Sequence, residues 1–402
     1  MKIRRVFAVT ALVLAACGSE APPEASNDLL YLQTEAGLAI AAAGSDSAEF
    51  QALDSLPSAD WTTVVRARRH PSGTRLIGSD PRSGKAVWST VAQGRLDLKI
   101  VSGDGTIAAL GPRSEPYYSQ GRRSTELVVV GASGDEQRYS LDGNYEPEAF
   151  STDGGNLFVI EYLPADRPTH YRVRNLDLTT GVVDGVYTVD AELQEAMRGT
   201  ARIQTMDLKG TRLYTLYTLK QDGHQKTFVH VLSLDEEWAH CVDLPDGFQY
   251  STGTATSMSV TPDGGRLFLA NSESGAIAEV DTEALAVTRT GQVSFGLGKP
   301  THMAIGDGRL FLSSGRMMTV VSMKALEEMR SLFMAQPITG LQAATDGFRL
   351  YIGQKDRIGV VDVITGQRLE SFDPPGVNRV QRIGRATQQP PQPRSDIIKC
   401  AC

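Results

Sequence analysis

The sequence predicts an all-β fold, and three regularities carry that prediction. A short apolar strand built on a leucine recurs, as in the segments 266–269 (RLFL) and 349–352 (RLYI). An Asp-Gly pair precedes several of these strands, as at Asp263-Gly264, and provides the positive φ that a tight hairpin turn needs. A further strand follows and ends on Val-Asp, as at Val280-Asp281. Together these regularities predict successive hairpins.

The recurring strand can be followed along most of the chain by its leucine or isoleucine. Eight such anchors are found, at Leu30, Leu76, Ile107, Leu157, Leu213, Leu267, Leu310 and Leu350. From Leu157 onward, the steps between them are 56, 54, 43 and 40 residues. A repeat of roughly 40–45 residues with three or four short strands is typical of a β-propeller blade. The sequence therefore predicts a single β-propeller over residues 29–385.

The number of blades is less clearly indicated. The step from Leu76 to Ile107 is only 31 residues, which is short for a blade. One anchor is therefore expected to be false, so seven blades are preferred and eight are the alternative. The first unit opens on its second strand and must obtain its innermost strand elsewhere. We expect the segment 376–385 to close the ring as a C-terminal velcro strand, although its apolar residues Val377, Val380 and Ile383 are three apart and do not alternate as strand residues do.

The segment 254–365 resembles the YVTN-type propeller repeat through its elements 262–264 (PDG) and 281–282 (DT). The resemblance is weaker over 27–253. Quinoprotein-like and WD-repeat propellers share much of this pattern, but the third strands here lack the Trp-Asp dipeptide. Propellers of this look include lactonases, amine dehydrogenase-type quinoproteins and cyclising transferases. The resemblance therefore implies a central funnel as the place for any catalysis.

The N-terminus has the pattern of an export signal. Lys2, Arg4 and Arg5 precede an apolar run, 6–16, of only 11 residues. A helix of that length covers roughly 16 Å, about half of the hydrocarbon thickness of a bilayer. The segment 1–16 is therefore predicted to be a secretory signal peptide.

The signal ends on a motif that resembles the lipobox of bacterial lipoproteins, Leu14, Ala15, Ala16 and Cys17. The resemblance implies that the Cys17 thiol carries acyl chains such as palmitate and anchors the protein to the cell membrane or the outer membrane. Residues 17–28 are then the lipidated cysteine and a flexible tether, and 386–402 is a Pro/Gln-rich tail.

Charge and composition restrict the partners. The formal net charge is −7, and removal of the three basic residues of the signal leaves −10. A net acidic chain without a basic cluster argues against nucleic acid as a partner. The expected partners are the membrane through Cys17, and an envelope protein or a small-molecule ligand on a propeller rim.

Candidate chemical residues are few. Asp263, Asp307 and Asp346 could bind calcium, but their Asp-Gly context favours turn formation, as the strand ends do for Asp177, Asp281 and Asp362. No metal-binding spacing links the six histidines, so no metal or cofactor is predicted. Glu146 and Glu148 could form an acid–base pair. The proline between them, however, favours an exposed loop between blades.

Three cysteines remain after Cys17. A disulfide between Cys241 and either Cys400 or Cys402 is plausible in an oxidising compartment. His240 beside Cys241 could add a ligand for zinc or copper, but neighbouring strand residues point to opposite faces.

The favoured function is a membrane-anchored, extracytoplasmic propeller that acts as a non-catalytic binding or scaffold platform. The alternative is a lactonase-like or quinoprotein dehydrogenase-like enzyme with its site at the central funnel. Ionisable side chains converging on the axis from several blades would favour the enzyme. An exposed apolar patch on a rim would favour assembly with other envelope proteins.

Overall fold

The computed structural model describes residues 28–35, 37–48, 50–52, 55–112, 121–188, 197–221, 224–249, 254–296 and 301–385. The predicted signal peptide, lipobox, Cys17, nearly all of the tether and the tail lie outside these residues and remain predictions. Among the described residues, no helix is both long and apolar enough to cross a membrane. The first strand begins at Asp28, one residue before the predicted start of the propeller.

The described strands form eight sheets, called blades 1–8, of which the first four are as follows. Blade 1 contains β1 (Asp28–Thr34), β2 (Gly37–Ala42) and β3 (Phe50–Ala52). Blade 2 contains β4 (Ser55–Pro57), β5 (Val64–His70), β6 (Gly73–Ser79) and β7 (Ala86–Gln93). Blade 3 contains β8 (Asp97–Val101), β9 (Ile107–Gly111), β10 (Ser124–Gly131) and β11 (Glu136–Asp142). Blade 4 contains β12 (Asn144–Phe150), β13 (Asn156–Leu163), β14 (His170–Asp177) and β15 (Val183–Gly185).

The other four blades follow in chain order. Blade 5 contains β16 (Tyr187–Thr188), β17 (Thr200–Met206), β18 (Arg212–Gln221), β19 (His224–Ser233) and β20 (Trp238–Asp243), and a 3-10 helix (Asp246–Phe248) follows it. Blade 6 contains β21 (Thr256–Val260), β22 (Arg266–Asn271), β23 (Ala276–Asp281) and β24 (Ala286–Gln292). Blade 7 contains β25 (Thr301–Gly306), β26 (Arg309–Ser314), β27 (Met317–Ser322) and β28 (Glu328–Phe333). Blade 8 contains β29 (Gly340–Ala343), β30 (Arg349–Gln354), β31 (Arg357–Asp362) and β32 (Arg368–Phe372), and the last strand, β33 (Val377–Arg385), joins blade 1.

The ring has eight blades, so the preference for seven was wrong and the alternative of eight is correct. The short step that cast doubt on one anchor has a simple cause. Leu76 lies on β6, the third strand of blade 2, whereas the other anchors lie on second strands. The second strand of blade 2 is β5, where Val65 is fully buried. From Val65 to Ile107 the step is 42 residues, which is an ordinary blade length.

The second strands pack both neighbours of each blade through adjacent side chains. In blade 6, Leu267 packs in a buried cluster shared with blade 5, and Phe268 packs in a cluster shared with blade 7. Successive strand residues point to opposite faces, so one leucine–aromatic pair serves two interfaces. The same division holds at Leu30-Tyr31, Leu157-Phe158, Leu213-Tyr214, Leu310-Phe311 and Leu350-Tyr351.

Strand β33 pairs antiparallel with β1, in the sheet order β3-β2-β1-β33. The register shifts twice, between Tyr31 and Leu32 and between Gln33 and Thr34. Each shift inserts one extra residue into β33, as a β-bulge does. The bulges explain the spacing of three in the sequence, because Val377 and Val380, three positions apart, are both buried against blade 8.

Most of the aspartates that were predicted to form turns accept backbone hydrogen bonds in turns, so that prediction is confirmed for them. Asp177, Asp281 and Asp362 each accept two backbone N–H hydrogen bonds from the turn that follows, at 2.7–2.9 Å. Asp263 accepts from the Gly265 N–H, and Asp346 accepts from the Phe348 N–H at 2.7 Å. Asp307 differs, because its side chain pairs with Arg309 and its backbone adopts a φ of 46°.

A buried carboxylate links the first strand to blade 8. Asp28, only 3% exposed, accepts hydrogen bonds from Tyr351 Oη at 2.9 Å and from Thr345 Oγ1. We predict that Tyr351→Phe lowers the free energy of unfolding by roughly 1–3 kcal/mol, because it removes a donor from a buried charged acceptor at almost constant volume. Urea denaturation measures this change. Tyr187→Phe, at a 71% exposed site, is the control and should change stability by less than about 0.5 kcal/mol. An equal effect of the two substitutions would contradict the prediction.

Candidate functional site: the axial funnel

The innermost strands of the eight blades, β4, β8, β12, β17, β21, β25, β29 and β33, surround the axis, and consecutive ones contact each other around most of the ring. We call the space that they enclose the axial funnel. An innermost strand is paired on one side only, so its other edge faces the axis. The sequence analysis singled out this funnel as the place for any catalysis. The half-buried ionisable side chains on the innermost strands are therefore the candidate functional residues.

Two carboxylates lie on the innermost strand of blade 4. Glu146 and Glu148 lie on β12 and are half-buried, so the expectation of an exposed loop between blades was wrong. That expectation rested on Pro147, because proline is uncommon inside a β-sheet. Pro147 lies on an innermost strand beside a register shift, where a missing N–H does not disrupt the sheet.

Glu146 is neutralised by two cations. Its Oε1 accepts from Arg122 Nη2 at 2.5 Å, and its Oε2 lies 3.4 Å from Lys99 Nζ on β8 of blade 3. Arg122 Nη2 also donates to the carbonyl of Tyr145. This group therefore ties blade 3 to blade 4.

Glu148 has a different environment. Its Oε1 accepts a hydrogen bond from Gln204 Nε2 of blade 5 at 2.5 Å. Burial raises the pKa of Glu148 to about 7, and the hydrogen bond from Gln204 opposes that rise only in part. A carboxyl group with a pKa near neutrality can both donate and accept a proton.

Cationic side chains lie on the innermost strand of blade 1. Arg379 and Arg382 lie on β33, and burial lowers the pKa of both guanidinium groups. Within the described part of the chain, no carboxylate lies within 4.0 Å of either one. His302 on β25 is neutral at physiological pH, because burial, and then the charge of Arg379, lower its pKa to about 4.

Hydrogen bonds from glutamine side chains connect β29, β33 and β1 on this side of the funnel. Gln342 Nε2 donates to the carbonyl of Gln381 at 2.9 Å, and Gln381 Nε2 donates to Gln33 Oε1 at 2.7 Å. Acidic groups therefore lie on the innermost strand of blade 4, and basic groups lie on the innermost strand of blade 1. Sequence reasoning did not identify the two arginines, although the expectation that 376–385 is an innermost strand could have pointed to them.

The other candidate residues lie away from the axis. Cys241 is on β20, a strand near the outside of blade 5, and pairs directly with His230 on β19. His224 and His230 share one strand, β19. Cys400 and Cys402 lie outside the described residues, so the disulfide stays a prediction. Among the described residues, no group of three or more His, Cys, Asp or Glu side chains is placed to hold a metal ion.

No protein-family model matches the chain, and no curated protein matches it. Among solved structures, dihydro-heme d1 dehydrogenase NirN in complex with DHE is similar, with a TM-score of 0.54 and 14% identity over 92% of this chain and 78% of that one. Apo AztD from Citrobacter koseri is similar with a TM-score of 0.53 and 12% identity, over 89% of this chain and 96% of that one. BamB from Moraxella catarrhalis has a TM-score of 0.46 and 17% identity, over 81% and 89%. At these identities, the likeness to NirN and AztD shows the β-propeller fold alone.

Proposed function

We propose that this protein is an extracytoplasmic lipoprotein, anchored by Cys17, whose β-propeller is a non-catalytic binding platform for another protein of the cell envelope. The observation that carries the platform proposal is an apolar surface on the outside of two neighbouring blades. Of the eight large apolar side chains that are exposed among the described residues, four belong to blades 7 and 8. These four, Met329, Phe333, Ile364 and Leu369, are called the outer patch.

The two blades that carry the outer patch contact each other near their outer edges. Arg330 Nη2, on β28 of blade 7, donates to the carbonyl of Val363 in blade 8 at 3.2 Å. A Cβ on Gly366 would approach the Arg330 guanidinium and Leu332 to 3.1 Å. The outer strand of blade 7 therefore packs against the turn that carries Ile364.

The chemistry of the outer patch suits a protein partner. Phe333 is 77% exposed and Met329 is 54% exposed, and both lie on an outermost strand whose free edge carries unpaired backbone groups. An exposed apolar edge strand invites aggregation unless something covers it. Coverage by a second protein buries these side chains and protects the edge.

The proposed anchor keeps the platform close to a membrane. Residues 18–27 reach at most ~35 Å when fully extended. Several acyl chains on one cysteine give stable attachment, because each buried methylene contributes about 0.8 kcal/mol. We further propose that β33 acts as the velcro strand, since it supplies the innermost strand of the blade that β1 begins.

Cys17→Ser tests the anchor. We predict that this variant moves from the membrane fraction to the soluble fraction and no longer incorporates labelled palmitate, because the acylated thiol is lost. Cys241→Ser, at a cysteine placed in the propeller, is the matched control and should remain in the membrane fraction. Retention of Cys17→Ser in the membrane, with label still incorporated, would contradict the anchor.

Site-specific photocrosslinking in intact cells tests the platform. We predict that a benzophenone amino acid at position 333 forms a discrete adduct with a second envelope protein, because the patch is buried in that contact. The same amino acid at Val87, 60% exposed on the outer strand of blade 2, is the control and should form none.

A second variant makes the crosslinking test specific. Met329→Ser combined with Leu369→Ser should lower the adduct yield at position 333 roughly tenfold, which corresponds to about 1.4 kcal/mol of binding free energy. An adduct only with another copy of this chain, or equal adducts at positions 333 and 87, would overturn the proposed partner.

The funnel supports a second candidate function, an enzyme whose proton-transfer group is Glu148. The observation that favours it is a half-buried carboxyl group with a pKa of about 7 on an innermost strand of the ring. A group of this kind matches the requirement for general acid–base catalysis near neutral pH.

The titration of Glu148 can be checked through stability. A carboxyl with a raised pKa binds its proton more tightly in the folded chain, so its contribution to folding is lost as the pH rises from about 4.5 to about 7. Relative to the wild type, Glu148→Gln should therefore gain stability between pH 5 and pH 8, on the order of 1–3 kcal/mol. Urea denaturation at both pH values measures the difference. Glu126→Gln, at an exposed site on β10, should show no such gain, and an equal gain in both variants would rule out Glu148 as the titrating group.

A further inference from the structure

The hairpin of β5 and β6 in blade 2 is a local exception to the acidic composition of the chain. Its basic residues are Arg66, Arg68, Arg69, His70 and Arg75. The register of the two strands places Arg68 directly opposite Arg75. Like charges that lie directly opposite each other in a sheet are destabilising. This pair therefore costs the blade stability unless an anion compensates it.

Four of the five basic side chains share one face of the hairpin. Successive strand residues point to opposite faces, so Arg66, Arg68 and His70 lie on one face of β5. Arg75 lies on the same face, because it is the cross-strand partner of Arg68. The other face packs toward blade 3 through the apolar side chains of Val65, Ala67 and Leu76. We call the set Arg66, Arg68, His70 and Arg75 the arginine face.

Contacts within the arginine face orient Arg75. Its Nη2 lies 3.2 Å from His70 Nε2, and His70 Nδ1 lies 2.8 Å from Ser72 Oγ. A guanidinium group can only donate, so Nε2 accepts and Nδ1 carries the ring proton toward Ser72. Burial, and then the charge of Arg68, lower the pKa of Arg66, which shows that the positive charges of this face act on one another.

The two opposed arginines have no acidic neighbour in the part of the chain that the structure describes. No carboxylate there lies within 4.0 Å of Arg68 or Arg75, and both side chains are exposed. The exposed Arg357 of blade 8, in contrast, pairs with Asp373. The arginine face therefore presents two guanidinium groups side by side to the solvent, with the charge of Arg66 behind them.

We propose that the arginine face binds the phosphate group of a small soluble ligand, either free phosphate or a phosphate monoester. Such a group carries a charge of about −1.5 to −2 at pH 7. Its oxygens accept hydrogen bonds from two guanidinium forks at once, a geometry that suits arginine better than lysine. Arg68 and Arg75 donate to these oxygens, and the rest of the ligand stays in the solvent. The site lies apart from the outer patch and from Glu148, so it does not depend on the proposed function.

Calorimetric titration of the purified full-length chain tests the proposal. The probes are inorganic phosphate and phenyl phosphate, and benzenesulfonate is the analogue with a single negative charge. Ionic strength is kept constant, because salt screens exposed charges. We expect saturable binding of both phosphates. Benzenesulfonate should bind at least tenfold more weakly than phenyl phosphate, since it offers less charge to the two guanidinium groups.

Two neighbouring positions on β5 provide a matched pair of variants. Arg68→Gln should weaken the binding of phenyl phosphate roughly tenfold, and Arg75→Gln should do the same, because each removes one charged donor. Arg69→Gln removes the same charge from an exposed side chain on the opposite face, where Arg69 pairs with Thr74, and should change the affinity less than about twofold. Without phosphate, Arg68→Gln should unfold at a temperature no lower than the wild type, since it relieves the repulsion between like charges.

Three results would count against the site. Equal weakening by Arg68→Gln and Arg69→Gln would mean a general attraction to positive charge. Equal affinities of the wild type for phenyl phosphate and benzenesulfonate would refute the recognition of a doubly charged group, and this comparison needs no variant to fold. Flotation of the Cys17→Ser chain with phosphatidic acid vesicles, without saturable binding of phenyl phosphate, would assign the arginine face to a lipid headgroup and overturn the soluble ligand.

Discussion

The constraint on which this ring depends is that each sheet must bury both of its faces. Six of the eight second strands meet it with two adjacent residues, a leucine that packs on the preceding blade and an aromatic residue that packs on the following one. At Leu310 and Phe311, for example, the two side chains are 0% and 1% exposed and belong to different clusters. Fully burying such side chains contributes roughly 1.5–3 kcal/mol each. A blade without a neighbour would lose half of this burial, and accordingly a buried cluster also joins blade 8 to blade 1.

The sequence shows this constraint wherever the leucine–aromatic pair is kept, which is why the fold class and most anchors could be predicted. The turn aspartates could be predicted from their Asp-Gly and strand-end positions. Prediction from the leucine fails where a different strand carries it. In blade 2 the second strand, β5, carries Arg66, Arg68 and Arg69, so its sequence is typical of a polar segment. The fully buried Leu76 lies instead on the third strand, and its spacing to the next anchor is therefore too short. The blade count therefore could not be read from spacing. Glu146-Pro147-Glu148 was misjudged for a related reason: an innermost strand has a free edge, and its composition can be that of a loop.

The blade repeat is most irregular around blade 5. The two long steps in the sequence, 56 and 54 residues, surround blade 5, whose second and third strands are ten residues long. The same part of the ring has the truncated β15 and the parallel pair of β16 with β20. The largest departures from the blade repeat therefore fall together in one part of the ring.

The proposed anchor lies close in the ring to the proposed binding surface. Strand β1 begins at Asp28, so the proposed tether from Cys17 would hold blade 1 nearest to the membrane. Blade 8 packs on blade 1, and blade 7 packs on blade 8, so the outer patch would lie within reach of a membrane-bound partner. An effect of that partner on the far side of the ring would have to pass through the intervening blades, and rigid interfaces such as that of Leu267 and Phe268 would have to move to transmit it.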